Sequence, residues 1–216
     1  MKKLVLIAAL FLAVSVIPTA MADTFQLQYD TVFSGTTPPE GISPWLLATF
    51  TDTGANTVDL NVSWTGLPTG EFLGALYFNN TLASIPSFSL TPTGVQTVAG
   101  TNSGLNAYKA DGDGKYDIRI NFPEPAAQKF TDDKIFTATL TGTGLTAASF
   151  NSLSVDGGEG AGHYLTAAHI QGIPDGSGDT TSAWVAGNIA VPEPVSTTLF
   201  LLGGATLAVR KLRRKA

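Results

Sequence analysis

Along the middle of the chain the hydrophobic positions recur with period two. Phe25, Leu27 and Tyr29 alternate with Gln26, Gln28 and Asp30; Val58, Leu60, Val62 and Trp64 alternate with Asp59, Asn61, Ser63 and Thr65. Tyr116, Ile118, Ile120 and Phe122 alternate with Asp117, Arg119 and Asn121. Each run predicts a strand with one face in a core and one in water. Glu71 to Phe78 and Lys134 to Leu140 are more uniformly apolar, as expected of strands covered on both sides. Weaker strand candidates are Trp45–Thr51, Val95–Ala99, Ser149–Val155, Tyr164–Gln171 and Ala183–Ile189. Turn clusters separate them, among them Thr53-Gly54-Ala55-Asn56, Leu67-Pro68-Thr69-Gly70 and Asp111-Gly112-Asp113-Gly114. No window before Val195 carries a clean helical period. Ten or so short strands with this punctuation predict an all-β protein, a single β-sandwich or jelly-roll-like domain over 23–190.

The two ends have a different texture. Residues 1–22 begin with Lys2 and Lys3, continue as an apolar run from Leu4 to Ile17, and finish at Ala20-Met21-Ala22. That is the plan of a secretory signal peptide, with signal peptidase cutting after Ala22. At the other end, Val191-Pro192-Glu193-Pro194 precedes an apolar stretch from Val195 to Val209 and the basic cluster Arg210, Lys211, Arg213, Arg214 and Lys215. As a helix that stretch spans roughly 22 Å at about 1.5 Å per residue, short against a hydrocarbon core of about 30 Å. The basic residues hold the end on the cytoplasmic side and leave the body outside the inner membrane. A short transmembrane helix behind a rigid Pro-Glu-Pro segment suits a processing substrate better than a permanent anchor.

This tripartite tail, residues 191–216, resembles the PEP-CTERM sorting signal of Gram-negative bacteria that make extracellular polysaccharide. The resemblance implies recognition and cleavage by the membrane enzyme exosortase, with Pro192, Glu193 and Pro194 as recognition elements and not as catalysts. Within the body, Thr49-Phe50-Thr51-Asp52-Thr53-Gly54, Gly70-Glu71-Phe72 with Tyr77-Phe78-Asn79, Lys109 to Asp117, and Ala168-His169-Ile170-Gln171 with Trp184-Val185-Ala186-Gly187 resemble a recurrent body type among PEP-CTERM proteins. That body type implies no catalytic residues. The expected fate is transient anchoring in the inner membrane, then the cell surface or an exopolysaccharide matrix.

Composition narrows the function further. Of 216 residues 44% are hydrophobic and only 13% charged, enough apolar material for a core. Cysteine is absent, which excludes disulfides, thiolate metal sites and a cysteine nucleophile. The formal charge of −5 conceals an asymmetry: residues 23–190 hold five basic side chains against sixteen acidic ones, a net near −11. Such a body argues against nucleic acid, whose phosphates need clustered Lys and Arg.

Candidate chemistry is sparse. In Asp111-Gly112-Asp113-Gly114-Lys115-Tyr116-Asp117, the carboxylates of Asp111, Asp113 and Asp117 have spacing that suits a calcium-binding loop or, equally, a plain hairpin turn shaped by Asp and Gly. The helix-loop-helix calcium pattern fails, because Lys109 and Ile120 would occupy its first and last ligand positions. Asp132-Asp133, Asp156-Gly157-Gly158-Glu159 and Asp175-Gly176-Ser177-Gly178-Asp179 are further acidic loops. The two histidines, His163 and His169, would stand roughly 20 Å apart on one strand, too far to share an ion; His169 reads as a packed, hydrogen-bonded ring. Gly41-Ile42-Ser43-Pro44-Trp45 lacks the closing glycine of a nucleophile elbow. Glu71 and Glu124 are conceivable glycosidase carboxylates without any feature that singles them out. Trp64 falls in register with a core face, whereas Trp45 and Trp184 are open candidates for stacking on sugar rings. The reading is an exported, non-catalytic structural or adhesive protein, with calcium or carbohydrate binding as the alternative and a glycoside hydrolase behind both.

Overall fold

The computed structural model describes residues 23–82, 89–132, 134–157 and 163–189. The signal segment with Ala22 and the tail with Pro192, Glu193 and Pro194 lie outside them, as do Asp133 and Glu159 of the acidic loops. Among the described residues no helix is long and apolar enough to cross a membrane.

The body is all-β. Among the described residues its ten strands are β1 (Thr24–Ser34), β2 (Leu46–Gly54), β3 (Thr57–Trp64), β4 (Phe72–Phe78), β5 (Ser89–Pro92), β6 (Gly100–Lys109), β7 (Lys115–Asn121), β8 (Ile135–Thr141), β9 (Thr166–Pro174) and β10 (Thr180–Ile189). They form one continuous antiparallel sheet in the order β5-β8-β3-β2-β1-β10-β9-β4-β7-β6, not two separate sheets. Twist curls this sheet nearly into a barrel. Its free edges β5 and β6 approach closely enough to line, with Ile118 of β7, one gap of about 260 Å³. A sandwich and a curled sheet share the same alternation of inward and outward residues, so sequence pattern does not separate them.

The alternation read from the sequence sets the core. Val58, Leu60 and Val62 of β3 and Phe136, Ala138 and Leu140 of β8 are all buried, while Asp59 and Asn61 are exposed. At the centre Phe50 of β2 stacks on Phe150 at 4.0 Å between ring centroids, and Phe78 of β4 meets both edge-on at 5.6 Å. Phe150 reaches this place from a short helical turn, Ala147–Phe150, whose first amide donates to Asp52 Oδ1 at 2.7 Å. That turn occupies part of the stretch Ser149–Val155, where the pattern suggests a strand.

β4 is buried along its whole length, as its uniform hydrophobicity predicts. β8 is not: it alternates, because only its inner face is covered. Val95–Ala99 is loop, with Val95 95% exposed, and the strand lies just beyond it in the polar segment Gly100–Lys109. β10, the last strand of the described residues, does not sit at an edge. It fills the middle of the sheet, hydrogen-bonded to β1 on one side and β9 on the other.

Candidate functional site on the outer face

The acidic loop comes first, since the sequence singles it out. It forms the β6–β7 connection, and its three carboxylates serve three different groups. Asp111 is exposed and accepts a hydrogen bond from Ser34 Oγ at 3.0 Å. Asp113 is fully buried; its Oδ2 accepts the Tyr116 hydroxyl, and its Oδ1 has no hydrogen-bond partner. Burial and the neighbouring Asp113 push the Tyr116 phenol far above its ordinary pKa, so it remains a donor. Asp117 accepts the amides of Asn106 at 2.7 Å and Asn80 at 3.2 Å, while its own amide donates to Asn79 Oδ1 at 2.7 Å. Among the described residues no three His, Asp or Glu side chains gather as they would around a metal ion.

The loop rests against the outer face of β1, and there the structure assembles something the sequence shows only in pieces. Between Val32 and Ser34 the β1–β10 register slips by one, leaving Phe33 as the extra residue of a bulge. Such a bulge re-aims its side chain. Phe33 stacks with Tyr164 at 5.2 Å on one side and meets Trp184 of β10 at 6.4 Å on the other. Tyr164 is fixed by Ser154, which exchanges main-chain and hydroxyl hydrogen bonds with it. Trp184 pairs in register with His169 of β9, and the two rings lie nearly parallel, 4.5 Å apart with an 18° tilt. Tyr77 of β4 closes on Trp184 from below at 5.4 Å. The result is an aromatic ridge across β1, β10 and β9 in which Phe33, Tyr164, Trp184 and His169 are each part exposed.

Polar groups rim the ridge. A second irregularity, on β4, makes Gly74 the extra residue between Leu73 and Ala75 in the pairing with β9. A Cβ there would stand 2.2 Å from Gln171 Nε2, so only glycine lets the Gln171 side chain lie across the strand. From that position Gln171 Nε2 approaches His169 Nδ1 at 3.3 Å and Glu124 Oε1 at 3.5 Å. An amide nitrogen can only donate, so Nδ1 is the acceptor and the imidazole proton sits on Nε2. Burial pushes the His169 imidazole below its usual pKa, with the Glu124 and Asp111 carboxylates pulling weakly the other way. The ring is therefore neutral at pH 7. Glu124 is exposed at the mouth of a groove of about 810 Å³ that also takes in Gly74, Asn121 and Gln128. Arg119 of β7 lies farther along the same face, over the Tyr108 ring at 5.1 Å and donating to Asn102 at 3.2 Å.

The other singled-out residues sort clearly. Trp45 is only 7% exposed and packs in the core, which removes it as a sugar-stacking residue. Trp64 is half-buried against Phe130, in keeping with its core register. His163 lies in the loop before β9 with Nδ1 3.1 Å from the Ser154 carbonyl, not on the strand that carries His169. Glu71 is buried; its Oε1 accepts the Glu40 amide at 2.8 Å, and burial raises its carboxyl pKa. Phe33, Tyr164 and Gln171 belong to the site and are not among the candidates that sequence supplies. The available signal was the outward half of the alternation on β9 and β10, where His169, Gln171 and Trp184 occupy positions that face away from the core.

No protein-family model matches the chain, and neither a curated protein nor a solved structure matches it.

Proposed function

We propose that this is an exported, non-catalytic surface or matrix protein whose barrel adheres to polysaccharide through the outer aromatic ridge. The observation that carries the reading is the row Tyr164, Phe33, Trp184 and His169, left part exposed on a face with Gln171, Glu124 and Asp111 at its margin. Aromatic rings suit the apolar C–H faces of sugars, and side-chain amides and carboxylates suit their hydroxyls. The neutral imidazole extends the row without adding a charge. The terminal segments supply the route: a signal peptide cut after Ala22, and a sorting tail with Pro192, Glu193 and Pro194 presented to exosortase. The polysaccharide is then the material among which the released body works.

Binding of the full chain, held in mild detergent, to immobilised oligosaccharides tests this directly. Trp184→Ala is expected to lower affinity at least about tenfold, the scale of losing a central aromatic anchor. Trp64→Phe, on the core side, should leave it unchanged. A panel of neutral, amino and acidic oligosaccharides among which none binds overturns the reading.

A further inference from the structure

The charge around the ridge discriminates between kinds of polysaccharide. Asp111 flanks it at the β1 end through Ser34, which pairs in register with Trp184. Glu124 flanks it at the β9 end through Gln171. Both carboxylates are near enough to act electrostatically on His169. Both are exposed and keep lone pairs for a ligand. Among the described residues, Arg119 is engaged by Asn102, by Tyr77 and by the Tyr108 ring, Lys129 lies over the Phe72 ring at 3.8 Å, and Lys109 and Lys115 stand at the strand ends that close the Asp111 hairpin. Behind the site stands a body with a net charge near −11. A polymer of uronic acids would bring its carboxylates against two fixed negative charges on a body of the same sign. A sugar bearing an ammonium group meets the opposite situation: an apolar ring face to lie on, and a carboxylate at each end of it.

We propose that the ridge selects an amino-sugar polymer with free, protonated amines, its ring faces on Trp184 and Phe33 and its ammonium groups on Glu124 and Asp111. This rests on the carbohydrate-binding reading above and adds the class of sugar.

Titration calorimetry of the full chain in mild detergent, at about pH 6 and low salt, tests it with three probes: a glucosamine hexamer, its fully N-acetylated counterpart and an oligogalacturonate. The glucosamine hexamer is expected to bind about tenfold more tightly than the N-acetylated one, and the oligogalacturonate more weakly than either. Raising salt should erase the first difference. Glu124→Gln and Asp111→Asn should each cost about fivefold for glucosamine and less than about twofold for the N-acetylated hexamer, since Gln and Asn keep an acceptor for a sugar hydroxyl but lose the charge. Both side chains are exposed, so neither change endangers the fold. Asp59→Asn, which removes an exposed carboxylate on β3 far from the site in the sheet order, should change nothing. Equal binding of the two hexamers, or tighter binding of oligogalacturonate, overturns the amino-sugar assignment and leaves carbohydrate binding standing. An equal loss on Asp59→Asn shows diffuse attraction of a polycation and overturns the assignment of the site. Absence of binding by all three probes removes the reading on which the inference rests.

Discussion

Two carboxylates that the sequence does not distinguish, Glu71 and Glu124, have opposite situations in the molecule. Glu124 is exposed beside the ridge, whereas Glu71 is 1% exposed, with one oxygen on the Glu40 amide and the other, Oε2, without a partner. Burying a carboxylate with an unsatisfied oxygen disfavours its charged form, hence the raised pKa. The folded state thus holds this proton more tightly than the unfolded chain does. The stability that Glu71 allows is full below the unfolded carboxyl pKa and falls as pH rises through the folded value. Glu71→Gln keeps an acceptor for the Glu40 amide and never ionises. It is expected to raise the melting temperature at pH 7, with the gain shrinking towards zero below about pH 4; a melt series across that range measures it, and a variant less stable at pH 7 contradicts the account.

At the scale of elements, β10 decides whether there is one sheet or two pieces. Removing it separates β5-β8-β3-β2-β1 from β9-β4-β7-β6 and uncovers the inner side chains Ala183 and Val185 pack against. A chain ending at Gly178 is expected to lose cooperative urea unfolding, and one ending at Val191 to keep it. The same strand marks the boundary of what local pattern reveals. Its alternation, Ser182 and Trp184 against Ala183 and Val185, is plain in the sequence, and so are those of β1, β3 and β7. Its partners are not, because pairing Leu27 with Ile189 is a contact across most of the chain that no local period encodes. The ridge stayed hidden for that reason: Phe33, Trp184 and His169 come from three strands whose neighbourhood is purely tertiary. β6 was hidden for another. Gly100 to Ala107 is nearly all small or polar, which suits an edge strand with little to bury but reads as a loop. Phe33 and Gln171 depend on bulges, at Phe33 and at Gly74, and a single inserted residue leaves no periodic trace.

For the molecule as a whole, charge and grease are segregated: an acidic barrel lies between two apolar ends. Processed as proposed, the surface form should run from Asp23 to near Val191, and mass spectrometry of intact protein shed from cells reads this directly. Recovery of Arg213 and Arg214 on that form contradicts tail removal. The central position of β10 gives this order of events a timetable. If the chain is exported as proposed, its first nine strands would emerge still lacking the piece that joins their halves. Ile189 ends that piece only three residues before Pro192. Under the proposed processing, maturation and folding would share a doorstep: a protease arriving before Thr180–Ile189 has docked would meet a loose string, and one arriving afterwards would work within a few residues of a finished wall.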